Sequence, residues 1–148
     1  MKKLLHRLAG SLALLLIASF WLTTVLTEVS GQEEAILMAK RYILFAMLLL
    51  IPALMITAAS GFALAGKRGG RLVSSKKKRM PFIALNGLLI LVPSAVFLWW
   101  KAAQGDFDLS FAIVQTIELA AGAANVTLLG LNMRDGIRLS RFTAARPG

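Results

Sequence analysis

Ser110–Asn132 reads SFAIVQTIELAAGAANVTLLGLN, a long apolar run that carries Gln115, Glu118, Asn125 and Asn132. The steps between these four residues are three or seven, so on a helix they share one face, with Gly122 on it and Ala121 at its border. A carboxylic acid inside an apolar helix is costly, and it turns toward a partner or a cavity rather than toward lipid. The stretch therefore reads as a membrane helix with one polar seam.

The rest of the chain fits that setting. Of its 148 residues 57% are hydrophobic, and the mean hydropathy is +0.72. Soluble domains run about 45–50% apolar. Three more uncharged runs, Leu8–Thr27, Ile43–Gly66 and Pro81–Trp100, are each long enough at about 1.5 Å per residue to cross a hydrocarbon core of about 30 Å. Residues 1–148 are thus expected to form a single all-α membrane domain: four transmembrane helices, near 8–27, 43–66, 81–100 and 110–133, in an antiparallel bundle. Leu8–Thr27 reads as a retained span rather than a cleaved signal peptide. Its apolar region exceeds the usual ~7–15 residues, and Trp21, Thr23 and Thr24 suit the outer end of a helix.

Charge sets the expected orientation. Lys67, Arg68, Arg71, Lys76, Lys77, Lys78 and Arg79 form a basic loop without an acid. With both termini and this loop on one side, every Lys and Arg except Lys40, Arg41 and Lys101 lies there. Every Asp and Glu except Glu118 and Asp135 lies on the other side or in its loops. The positive-inside rule makes the basic side cytoplasmic, with both termini inside. Glu28–Arg41 then reads as an outer polar connection.

Several function classes drop out. The chain has no cysteine, so disulfides, thiolate metal sites and cysteine nucleophiles are excluded. His6 is the single histidine and leaves no bis-histidine haem pair within the chain. No cofactor and no metal are expected. The net charge of +10 does not point to nucleic acid, because no soluble segment is long enough to bind it and the basic residues flank spans. No base–nucleophile pair marks an enzyme.

Glu118 lies about 13 Å into the fourth run, a depth shared by Pro52 and, near the midplane, by Pro93. Each proline deprives the carbonyl four residues earlier, Leu48 or Leu89, of its amide donor. A protonated Glu118 is expected to donate to one of these, or to Ser94 or Ser19. In a functional reading Glu118 moves a proton or holds a cationic or quinone-like ligand, with Gln115 and Asn125 as hydrogen-bond partners. In a structural reading it fixes packing or docks a partner subunit. The structural reading is preferred because the sequence marks no second ionisable group at that depth. Asn86 is expected to bond Asn125 between helices, at about 1 kcal/mol. Asn86, Pro52, Pro93 and Gly122 are assigned to helix packing. Arg71, Lys76, Lys77, Lys78 and Arg79 are assigned to lipid headgroups or an acidic partner.

Two resemblances add expectations. His6-Arg7-Leu8-Ala9-Gly10 resembles the His-Arg-x-x-Gly start of the first membrane helix in succinate dehydrogenase cytochrome b subunits, where the motif lies near the quinone pocket. Lys3 stands where that family has a serine. Glu118-Leu119-Ala120-Ala121-Gly122 through Asn125, with Gly130–Gly136, is similar to small four-helix inner-membrane proteins of proteobacteria. The second likeness implies the bacterial inner membrane as location. The expected role is a non-enzymatic accessory or assembly subunit of a larger membrane complex, a respiratory one among the settings. The expected partners are the bilayer and other membrane subunits or further copies of the chain. The alternative is a small oligomeric proton-coupled transporter or ligand- or quinone-binding protein that uses Glu118.

Overall fold

The fold comes from a computed structural model, which describes residues 2–65 and 71–144. Helix α1 covers Lys2–Ser30 and α2 covers Glu33–Ala65. The third rod is α3, Arg71–Asn86, continued through a π turn at Gly87–Leu91 into α4, Val92–Ala103. The chain closes with α5, Leu109–Ala144. No strand occurs among the described residues. Four helical stretches are long and apolar enough to span a membrane: Lys3–Ser30, Glu33–Leu64, Lys78–Ala103 and Leu109–Arg138.

The helices overrun the boundaries that charge suggests. Helix α5, with 36 residues, is about 54 Å long, well beyond a hydrocarbon core of about 30 Å. An uncharged run marks the lipid-buried part of a helix, not its ends. Most of Glu28–Arg41 is therefore helical, and only Gly31 and Gln32 connect α1 to α2. Gly31 adopts φ 64° to make that two-residue turn. Likewise the segment from Arg71 to Arg79 belongs to α3, and Pro81 lies inside that helix rather than at its start.

Both remaining breaks have local causes. Pro93 has no amide hydrogen, so the regular bonding pattern cannot pass through it. The turn before it widens, and Val92 N–H reaches back five residues to the Gly87 carbonyl. After α4, Gly105 at φ 68° ends the rod in a Schellman arrangement: Gly105 N–H donates to Ala102 O at 3.1 Å and Asp106 N–H to Lys101 O at 3.0 Å.

Around the bundle, α1 packs on α2 and α5, while the third rod packs on α2 and α5. Helices α2 and α5 do not approach each other closely; they stand on a diagonal. Buried positions on α2 (Ile36, Ala39, Ile43, Met47, Leu50 and Ala53) recur at steps of three and four, which defines its inward seam. The apolar interior forms two clusters. The larger is built around Ala13, Ile17, Phe20, Met47 and Leu129, and a smaller one joins Ile36, Leu98, Ala102 and Phe111. Leu15, Phe45, Leu48, Met55 and Leu88 are exposed on the outside, as expected where hydrocarbon is the solvent.

Candidate functional site

Lys40 and Glu118 occupy the level between the two apolar clusters. On α2, Lys40 lies between Ile36 and Ile43; on α5, Glu118 lies between Phe111 and Leu129. Lys40 Nζ donates to Glu118 Oε2 at 2.8 Å. Lys40 is 1% exposed. Gln115 Nε2, one turn before Glu118 on α5, donates to the same oxygen at 3.3 Å. From α1, Glu28 is near enough to feel the charge of both Lys40 and Glu118. This charged layer thus joins three helices and crosses the bundle's diagonal.

The sequence leaves Glu118 without a second ionisable group at its depth. The structure supplies Lys40, so Glu118 accepts a hydrogen bond from an ammonium instead of donating to Leu48, Leu89, Ser94 or Ser19. Lys40 was legible through its position on the Ile36–Ile43 seam, one residue after Ala39. Its charge masks it, because in a sequence a charged residue marks the end of an apolar run. Glu28 carried no such signal.

A cavity of about 50 Å³ adjoins the layer, lined by Phe20, Trp21, Thr24, Glu118, Leu119 and Gly122 among others. It has room for water, while drug-sized ligands need about 300 Å³ or more. Trp21 Nε1 donates to Leu119 O at 3.0 Å. Gly122 permits this approach, since a Cβ there would lie 3.1 Å from Trp21 Cδ1.

Further polar ties run down α5. Asn86 Nδ2 donates to Asn125 Oδ1 and to Ala121 O, both at 2.9 Å, and Asn125 Nδ2 reaches Ile83 O at 3.5 Å. Asn125 is fully buried. Arg79 Nη1 donates to Asp135 Oδ2 at 2.8 Å, so this residue is engaged within the chain rather than left for a headgroup. Lys78 is exposed. Lys67, Arg68 and the side chains of Arg71, Lys76 and Lys77 lie outside the described residues. Pro52 and Pro93 are exposed; they face outward instead of forming the packed seam, consistent with rings that shape a backbone without filling a core.

At the opposite end of α1, His6 Nδ1 is 3.1 Å from Thr57 O and 3.0 Å from Ser60 Oγ. The Ser60 hydroxyl also reaches Ile56 O, and the Thr57 carbonyl can only accept from the imidazole. Gly61 lets the imidazole approach: a Cβ there would lie 3.1 Å from His6 Cε1. The His6–Gly10 segment is thereby held against α2. Among the described residues, no group of three or more His, Asp or Glu side chains is arranged to hold a metal ion.

Comparison of the chain with protein-family models, curated proteins and solved structures found no match.

Proposed function

We propose that this chain is a multi-pass protein of the bacterial inner membrane that serves as a non-enzymatic accessory or assembly subunit of a larger membrane complex. The observation that carries this reading is the buried ion pair that joins α2 to α5 inside the bundle. Glu118, the group with most chemical potential in the sequence, is taken up by Lys40. Helix α5 also sends a polar tie to α1 through Leu119 and to α3 through Asn125 and Asp135. Such links rigidify a scaffold. The motif His6-Arg7-Leu8-Ala9-Gly10 is the reason for counting a respiratory complex among the settings. Purification from native membranes in mild detergent is expected to bring down a defined membrane partner; a free protomer alone contradicts the reading.

The same proposal has both termini in the cytoplasm, supported by the basic residues at the Arg71–Arg79 end of the bundle. The cysteine-free sequence makes this direct to test. Single cysteines introduced at residues 3, 75 and 146 should react with an impermeant maleimide only in inverted vesicles, and one at residue 32 only in right-side-out cells.

A second reading, a small oligomeric protein coupled to protons or a ligand through Glu118, is favoured by the cavity beside that residue. At about 50 Å³ the cavity supports the proton version over a bound quinone.

A further inference from the structure

The charged layer does not balance. Glu28 and Glu118 supply two carboxylates, and Lys40 supplies one ammonium that is already committed to Glu118 at 2.8 Å. The other charged groups at this end offer no relief. On α4, Lys101 is engaged by Asp106 and Asp108. On α2, Arg41 is exposed in a surface groove with Met38, Tyr42 and Phe45, and the exposed Glu33 and Glu34 only add negative charge.

Two buried acceptors belonging to residues of this layer lack a donor. Glu28 Oε1 and Gln115 Oε1 are both buried, and no donor among the described residues reaches either. Gln115 is 4% exposed, and its amide meets the Glu118 carboxylate through Nε2, so its buried oxygen lies one amide's width from that contact. Two orphan acceptors call for a hydrogen or a cation between them and the protein. Glu28 itself is only half-buried, two residues from the end of α1, which gives the layer contact with the end of the bundle.

We propose that the Glu28–Lys40–Gln115–Glu118 layer is a binding site for one exchangeable proton, carried on Glu28. Uptake converts the Glu28 carboxylate and a solvent proton into a neutral carboxylic acid, which leaves Lys40 and Glu118 as a balanced pair. The orphan oxygen becomes part of a group that can donate. No oxidant, reductant or second substrate is needed. This goes beyond an assembly role, and it concerns the isolated chain, so the presence or absence of a co-purifying partner does not bear on it.

The test is an infrared pH titration of the full chain in lipid nanodiscs, following glutamic-acid carbonyl bands. One band, worth one proton per chain, should vanish in Glu28→Gln. Its midpoint should move by at least one pH unit, a tenfold change in proton affinity, in Glu118→Gln, because the two groups share Lys40; an isolated surface carboxyl would not respond. Should Glu118→Gln fail to fold, the folded Trp99→Phe/Trp100→Phe protein reports instead. There, emission from Trp21, beside Glu118 in the cavity, should titrate together with the Glu28 band. An unmoved midpoint, or flat Trp21 emission across the titration, overturns the proposal. So does a midpoint displaced by replacing choline with sodium at constant ionic strength, which would make the guest a metal cation.

Discussion

The ammonium of Lys40 meets the carboxylate of Glu118 at 2.8 Å across the diagonal of the bundle, between two helices that do not otherwise approach each other closely. A long side chain is required for that span, and lysine's four-carbon stem provides it while adding apolar surface to the core. The pair also separates the two hydrophobic clusters, so it acts as a cross-brace at the level where α1 delivers Glu28.

Below the brace, the Asn86–Asn125 bond should behave as modest adhesive. Asn86→Ala and Asn125→Ala are each expected to lower unfolding stability by about 1 kcal/mol, with a coupling of similar size in the double variant. Thermal unfolding in detergent measures this. Additive single effects would place the stabilising contacts of these amides elsewhere, for instance in the bond to Ala121 O.

Gly122 should resist bulk more than it resists a methyl group. Alanine gains about 1 kcal/mol of helix propensity over glycine but presses on Trp21 Cδ1 at 3.1 Å, so Gly122→Ala should be close to neutral. Gly122→Leu is expected to displace the indole and break its bond to Leu119 O. Trp21 emission, read in a Trp99→Phe/Trp100→Phe background, should shift in the leucine variant and stay nearly constant in the alanine variant.

The start of α5 should be sensitive to acid. Asp108 accepts hydrogen bonds from Lys101 Nζ at 2.9 Å, Ser110 Oγ at 2.6 Å and the Phe111 amide at 3.0 Å. These interactions, with the Lys101 ammonium foremost, hold its carboxyl well below the usual carboxylate range. Because the folded value is depressed, the contribution is complete above the unfolded value of about 3.9 and is lost as pH falls toward the folded value. The thermal midpoint of wild type should exceed that of Asp108→Asn by a constant amount above about pH 5 and converge with it in stronger acid. A difference that is constant down to the lowest pH would mean the charge of Asp108 is not what stabilises the loop.

Much of the architecture was legible because the bilayer imposes it. Four apolar runs of sufficient length can be little other than helices, and the three- and seven-residue steps of Gln115, Glu118, Asn125 and Asn132 put them on the face that the structure buries. The ends of the helices were not legible, because charge marks where lipid stops rather than where helical bonding stops. That distinction hides Lys40, which the charge pattern places in a connection although Ile36 and Ile43 share its seam. Arg79 was hidden differently: a basic cluster suggests headgroups, and only the tertiary fold brings Asp135 to it. Trp21 by sequence only suits the outer end of a helix, since its pairing with Gly122 joins two helices distant in sequence.

The most direct measurement is a double-mutant cycle on Lys40 and Glu118, with Lys40→Met, Glu118→Leu and their combination unfolded in the same detergent. Lys40→Met strands the Glu118 carboxylate and is expected to cost about 3–5 kcal/mol, Glu118→Leu leaves Lys40 beside Glu28 and should cost less, and the apolar double variant should recover most of the Lys40→Met loss. Losses that simply add in the double variant would contradict the account, since the two side chains would then not be joined across the bundle.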